Sequence, residues 1–220
     1  KGVDDNKDQS YFLYRLDQRA LGHSLFPLGE LSKSQVRTIA QREGLPNFAK
    51  KDSTGICFIG ERKFSTFLAR YLPAQPGNII STEGERLGEH QGLMFHTIGQ
   101  RQGLGIGGMR DSGGEPWYVV AKNVPANTLI VAQGKDHPAL FRSGLEATDL
   151  HWISGAAPAA PLACHARIRY RQPDQACEIL RLDDDSCQVR FATAQRAVTP
   201  GQAVVFYAGD VCLGGGTISV

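Results

Sequence analysis

Hydrophobic positions near the start of the chain follow the spacing of α-helices. A helix is predicted between Ser32, whose side chain would cap its first turn together with Gln35, and Gly44, where the pattern stops. The apolar face of this helix contains Val36, Ile39 and Ala40. An apolar cluster over residues 11–16 predicts an earlier, short buried helix. Residues 1–63 are therefore expected to form a helical segment with loops.

After residue 63 the pattern changes to short runs of strand-forming residues separated by turn signals. Residues 78–82 and 86–90 predict a β-hairpin, because a polar, glycine-containing turn separates two short alternating runs. Residues 117–121 and 129–132 predict two further strands. The sequence thus indicates a small central β-rich domain over residues 64–137.

Evenly spaced turn signals in residues 138–220 are typical of a compact β-barrel. These turns are Gln172-Pro173-Asp174, Asp183-Asp184-Asp185, Thr199-Pro200-Gly201 and Ala208-Gly209-Asp210. The predicted fold class is therefore α+β and mostly β. It combines a helical N-terminal segment, the central β-rich domain and a C-terminal antiparallel β-barrel.

A strand predicted over residues 162–171 would place several basic residues on one face. Strand residues alternate between faces, so Arg167, Arg169 and Arg171 would point the same way as His165. One interpretation is a solvated exterior with acidic neighbours; the other is phosphate binding, which the forked guanidinium of arginine favours.

A second stretch with possible phosphate contacts is rich in glycine. Residues 96–108 lack the Gly-Lys-Ser/Thr ending of an ATP loop, so turn glycines explain them better. Gln100 and Arg101 in this stretch could still meet a phosphate backbone.

Composition is that of an ordinary globular protein. Apolar residues make up 41% and charged residues 21% of 220, and the net charge of +2 gives no overall attraction to nucleic acid. RNA contacts would therefore need a local basic cluster. No run approaches the ~20 apolar residues of a membrane helix, and no signal peptide is recognised, so we expect a cytoplasmic monomer without membrane contact.

The cysteines and histidines are not arranged as metal ligands. Five cysteines form no C-x-x-C pair, which argues against zinc and against a secreted disulfide framework. The six histidines lack ligand spacing, so no metal site is predicted. Cys164, Cys177, Cys187 and Cys212 lie in apolar runs, and core packing is expected for them.

Cys57 has a different environment. It lies in a loop of small and hydroxyl-bearing residues, with cations at Lys50, Lys51, Arg62 and Lys63. The following run, residues 61–72, predicts a helix that starts near the thiol. Nearby cations and a helix N-terminus favour thiolate over a thiol of ordinary pKa ~8.5. Cys57 is thus either a reactive sulfur or a buried small hydrophobe, and a hydrolase dyad with His96 is a further alternative.

Six dispersed blocks together resemble the bacterial-type tRNA-specific 2-thiouridylases across the whole chain. They are residues 7–13 (KDQSYFL), 26–29 (FPLG), 52–60 (DSTGICFIG), 96–101 (HTIGQR), 169–171 (RYR) and 199–202 (TPGQ). The block around Cys57 is the most specific, whereas the glycines alone would prove nothing.

The resemblance implies transfer of sulfur onto C2 of the wobble uridine of tRNA. By this resemblance, Cys57 is the catalytic residue and carries a persulfide received from a sulfur-donor protein. A second cysteine in an N-terminal domain would act with it, either by attacking the base or by releasing sulfide through a transient disulfide. That domain would bind ATP, with Mg²⁺, and it would precede this chain, whose residues 1–63 complete it. The chain is therefore expected to contain no cofactor-binding residue and to be inactive alone.

The same resemblance assigns tRNA contacts to two parts of the chain. They are Lys7, Asp8 and Gln9 near its start, and Arg169, Tyr170 and Gln202 in the predicted barrel. The alternative function is a non-catalytic, translation-factor-like RNA-binding module in which Cys57 is structural. Thiol reactivity distinguishes the two, because only sulfur transfer requires a reactive Cys57.

Overall fold

The computed structural model describes residues 1–50, 74–106 and 114–219. Contacts divide the chain into two compact units. One unit combines Lys1–Lys51 with Ser143–Val220, and the other is Asp52–Arg142. The first unit therefore joins segments that are far apart in the sequence.

Three helices lie in the N-terminal part: α1 (Ser10–Leu13), α2 (Gln18–Gly22) and α3 (Lys33–Arg42). Helix α3 begins as predicted, because Ser32 Oγ accepts the Gln35 N–H while Gln35 Oε1 accepts the Ser32 N–H. The single buried helix predicted over residues 11–16 is wrong. Asp17 caps a separate helix, α2, by accepting the Ala20 N–H, and within α1 Tyr11 is the buried residue.

The second unit contains a four-stranded sheet. Its strands are β1 (Gly77–Ser81), β2 (Arg86–His90), β3 (Trp117–Asn123) and β4 (Thr128–Gln133), in the order β2-β1-β4-β3. The pairs β1–β2 and β3–β4 are antiparallel, which confirms the predicted hairpin, and β1 runs parallel to β4. Apolar side chains from one face, including the fully buried Ile79, Val119 and Leu129, form its core.

The first unit contains a closed six-stranded barrel. Its strands are β5 (Phe141–Trp152), β6 (Leu162–Arg167), β7 (Gln175–Leu182), β8 (Ser186–Arg196), β9 (Ala203–Ala208) and β10 (Val211–Ile218), in the closed order β10-β5-β8-β7-β6-β9. Inward-facing residues such as Ile179, Val189 and Phe206 fill it. The predicted mostly-β class with a C-terminal barrel is confirmed. The domain borders at 63 and 137 stay a prediction.

The strand predicted over residues 162–171 is too long. β6 ends at Arg167, and the next N–H, that of Ile168, donates to the side chain of Gln172 instead of continuing the sheet. Arg171 has a left-handed φ of 64°, so this part of the chain is a turn. The alternation of faces therefore fails beyond Arg167, which is itself buried rather than solvated.

Closure of the barrel leaves no room for a side chain at Gly214. A Cβ there would lie 2.1 Å from the backbone oxygen of His151, and φ is +146°. We expect Gly214→Ala to lower the free energy of unfolding, measured in urea, by about 1–3 kcal/mol more than Gly209→Ala does. Gly209 is the matched control, because its φ of +57° is also positive but open space surrounds it. Equal losses for the two variants would contradict steric closure.

Candidate nucleic-acid interface

A buried ion-pair network joins the start of the chain to the barrel. Arg167, the last residue of β6, donates from Nη1 to Asp8 Oδ2 at 2.9 Å and from Nε to Asp174 Oδ1 at 2.7 Å. The Asp8 Oδ1 atom accepts the backbone N–H groups of Gly2 and Ser10. Asp8 and Arg167 are 4% and 7% exposed, so both charges depend on these partners. The network holds α1 against the β6–β7 turn.

Both carboxylates of this network are held in the charged form. Burial alone would raise the pKa of Asp8, but hydrogen bonds from Ser10, Gly2 and Arg167 outweigh it and lower the pKa below its usual value. Asp174 has a lowered pKa for a similar reason: its burial is outweighed by Lys1 and Arg167. Asp8 therefore stays ionised at neutral pH.

Tyr207 in β9 packs beneath the network. Its ring lies 4.9 Å from the Arg167 guanidinium and 4.8 Å from the Lys1 ammonium, at cation–π distance. The Tyr207 hydroxyl lies 3.2 Å from Ser10 Oγ, and its residue is fully buried. The N-terminal segment is thereby fixed on the barrel by charge, ring and hydroxyl contacts together.

The network brings Gln9 next to Tyr170. Gln9 Nε2 donates to the Tyr170 hydroxyl at 2.9 Å, although 161 positions separate the two residues. Tyr11 anchors α1, the helix that begins directly after Gln9, because its hydroxyl donates to the backbone oxygen of Ala203 in β9. Two predicted tRNA contacts from distant parts of the sequence thus lie on one surface.

Arg169 and Gln202 both form hydrogen bonds with the turn between β8 and β9, and Gln202 is part of that turn. Arg169 Nη2 donates to the backbone oxygen of Ala197 at 3.2 Å, and the Gln202 N–H donates to that of Thr199. Arg169 is exposed to solvent, but partial burial of its guanidinium and the charge of Arg196 lower the pKa of that group. Gln202 is exposed. Lys7 lies in the turn just before Asp8, where its N–H donates to the oxygen of Asp4.

Sequence comparisons match this chain along nearly all its length. Three family models align: a tRNA methyl transferase HUP domain at residues 1–61, a tRNA methyl transferase PRC-barrel domain at residues 65–133 and an aminomethyltransferase β-barrel domain at residues 142–218. The tRNA-specific 2-thiouridylase MnmA of Nitrosomonas eutropha is 60% identical over 219 residues, and that of Nitrosococcus oceani is 59% identical over 219. Along its whole length, the chain is therefore similar to part of the tRNA-specific 2-thiouridylases.

The alignments with these 2-thiouridylases cover the whole of this chain but only part of the relatives. They include 100% of this chain and 61% of the Nitrosomonas protein, or 60% of the Nitrosococcus protein. The MnmA of Methylococcus capsulatus gives the same result, with 60% identity over 222 residues and 60% of its length. The chain therefore spans about three fifths of the length of these relatives. Within its described stretches, every helix is too short or too polar to cross a membrane.

Cys57, to which the resemblance to 2-thiouridylases assigns the catalytic role, lies outside the described residues. The helix predicted over residues 61–72 also lies outside them. A dyad with His96 therefore stays a prediction. His96 itself is 6% exposed, and its pKa is lowered by burial and by the neighbouring His90. Gln100 uses its side chain within its own turn, bonding to Thr97 and Gln102, whereas Arg101 is exposed.

Two features of this surface had no recognisable signal in the sequence. The first is the pairing of Asp8 with Arg167, whose positions differ by 159. A contact of Asp8 with tRNA stays a prediction, but both its oxygens are already bonded within the protein. The second is Phe12, which the apolar pattern places in a core and which is 56% exposed.

Proposed function

We propose that this chain is the C-terminal part of a tRNA 2-thiouridylase. Its Cys57 would carry the transferred sulfur, and the surface around Gln9 and Tyr170 would hold the tRNA. Identity of about 60% along the entire chain to several 2-thiouridylases supports the proposal most strongly. The hydrogen bond between Gln9 and Tyr170 adds to it, because it unites two segments expected to contact tRNA.

In the proposed reaction, Cys57 receives sulfur as a persulfide. Its thiolate attacks the outer sulfur of a persulfide on a donor protein, a new sulfur–sulfur bond forms, and the donor leaves as a thiolate. No net oxidation occurs. ATP, when bound by the whole protein, supplies a good leaving group at C2 of the wobble uridine. The basic residues around Cys57, including Lys50 and Lys51, would stabilise the attacking thiolate.

The tRNA would be held by charge and by hydrogen bonds. Arg169 and Arg171 offer forked donors suited to phosphate oxygens, and Gln9, Tyr170 and Gln202 offer neutral polar groups. Lys7 adds a further cation beside Asp8. Asp8 would act by positioning Gln9, since its own oxygens are occupied by protein donors.

Sulfur loading tests this proposal. We expect the full-length protein, incubated with inorganic polysulfide and then alkylated, to gain the mass of one sulfur atom on the tryptic peptide that contains Cys57. The other thiols serve as internal controls: Cys164 and Cys177 are buried, and burial raises the pKa of Cys187 to about 12 and of Cys212 to about 11.

Two outcomes of the loading experiment would count against sulfur transfer. Labelling spread equally over Cys57 and the other four cysteines of this chain would show that Cys57 has no special reactivity. An unlabelled Cys57 in a protein that still binds tRNA would favour the RNA-binding module instead.

A further inference from the structure

A pair of aromatic rings, one exposed and one partly buried, lies beside Gln9. Phe12 in α1 is 56% exposed, and its ring centroid lies 4.6 Å from that of Tyr170, at an interplanar angle of 46°. Tyr170 comes from the β6–β7 turn, so the two rings belong to distant parts of the sequence. Fully burying a large apolar side chain is favourable by about 1.5–3 kcal/mol, so an exposed ring packed against a partly buried one indicates a surface that receives a ligand.

Neighbouring contacts hold the two rings in place. Tyr11, adjacent to Phe12, is 6% exposed and bonded to Ala203, while the Phe12 N–H donates to the oxygen of Gln9. The Tyr170 hydroxyl accepts a hydrogen bond from the Gln9 side chain. Both rings are therefore oriented before any ligand arrives, which reduces the entropy cost of binding.

The surroundings of the rings are cationic. The Arg171 guanidinium lies 5.2 Å from the centre of the Tyr170 ring. Arg171 also has a left-handed backbone conformation, with φ of 64°. Arg169 and Arg196 are close enough for the charge of Arg196 to lower the pKa of Arg169. An aromatic surface flanked by guanidinium groups suits a ligand that combines a flat ring with negative charge.

We propose that Phe12 and Tyr170 form a stacking platform for one unpaired nucleobase of the bound tRNA. Unpaired bases of RNA stack on aromatic side chains, and the phosphates on either side pair with arginine. The proposal rests on the proposed function, which makes tRNA the ligand. It adds Phe12 to the residues expected to contact tRNA. It also specifies that the ring of Tyr170 contacts the face of a base.

The platform is tested by tRNA affinity in the full-length protein, measured by filter binding at several salt concentrations. We expect Phe12→Ala to weaken binding by about 5- to 150-fold, the range for loss of one stacked base. The slope of affinity against salt should stay unchanged, because stacking releases no counterions. Phe12→Trp should bind like the wild type, whereas Phe12→Leu should remain weakened.

Phe26 provides a matched control. Phe26 is also 56% exposed and lies in the same N-terminal segment. Phe26→Ala therefore removes the same type of side chain, with the same exposure, at a different position. We expect its tRNA affinity to equal that of the wild type. Loss of affinity in both variants to the same extent would overturn the platform.

Other results separate the platform from the proposed function. If wild-type protein binds tRNA and Phe12→Leu binds equally well, stacking is refuted and the function stands. If Phe12→Ala lowers the melting temperature and leaves affinity unchanged, another protein segment covers the ring. If the wild type itself fails to bind tRNA, the proposed function fails.

Discussion

Replacing Cys57 by serine in the full-length protein should abolish thiolation of tRNA. Serine keeps the size of the side chain but cannot form a persulfide, so the sulfur-carrying step has no substitute. We expect turnover to fall by roughly three orders of magnitude or more, as when other covalent nucleophiles are removed. The measurement is the amount of 2-thiouridine released from tRNA by digestion, quantified by mass spectrometry.

The control for this variant is Cys212→Ser. Cys212 lies in β10, it is partly buried, and its raised pKa of about 11 keeps it protonated. This variant should thiolate tRNA like the wild type. The affinity of Cys57→Ser for tRNA should change by less than about 2-fold, because the expected tRNA contacts lie elsewhere. Substantial 2-thiouridine formation by Cys57→Ser would refute the catalytic role.

The second large effect is expected at Arg167. Arg167→Ala removes the shared partner of Asp8 and Asp174 and leaves a carboxylate that is only 4% exposed without its ion pair. Breaking a buried ion pair in this way costs about 3–5 kcal/mol. We expect that loss in the free energy of unfolding, measured by urea denaturation followed by circular dichroism.

Arg190→Ala is the matched control for Arg167→Ala. Arg190 also pairs with a carboxylate, that of Glu178 at 2.7 Å, but both side chains are exposed to solvent. Such exposed pairs contribute less than about 1 kcal/mol. If the two variants lose equal stability, the network around Arg167 does not hold the N-terminal segment.

The pH dependence of the same variants provides an independent check. Because the pKa of Asp8 and of Asp174 is lowered by folding, their contribution is present above the unfolded pKa of ~4 and is lost as pH falls through the folded values. Without Arg167 the folded pKa of Asp8 rises, so less stability is lost in acid. The difference in stability between wild type and Arg167→Ala should therefore shrink below about pH 4. Parallel curves would contradict the network.

The sequence predicts elements well where the signal is local. The Ser32 cap with Gln35 and the hairpin at residues 78–90 depend on neighbouring residues, and both are observed. The predicted β6 is too long, because the alternation of basic and other residues in the sequence continues past Arg167. In the folded chain a side chain, that of Gln172, takes the hydrogen bond that a strand would need.

The interface was only partly predictable, for a physical reason. Gln9, Arg169 and Tyr170 could be named from the family's blocks, but their proximity depends on Arg167 and Asp8, which meet across 159 positions. No local pattern encodes such a pairing. The exposure of Phe12 likewise depends on which side of α1 contacts the barrel, and a helix of four residues is too short for its apolar pattern to define that side.

The position of β10 has a consequence for synthesis on the ribosome. This strand, Val211–Ile218, pairs with both β5 and β9 and closes the barrel, while Gln9 emerges some two hundred residues earlier. We therefore expect Gln9 and Tyr170 to acquire their final arrangement only after β10 has been synthesised. If the proposed tRNA surface is correct, chains that terminate before β10 should fail to capture tRNA and should not compete with chains that contain this strand.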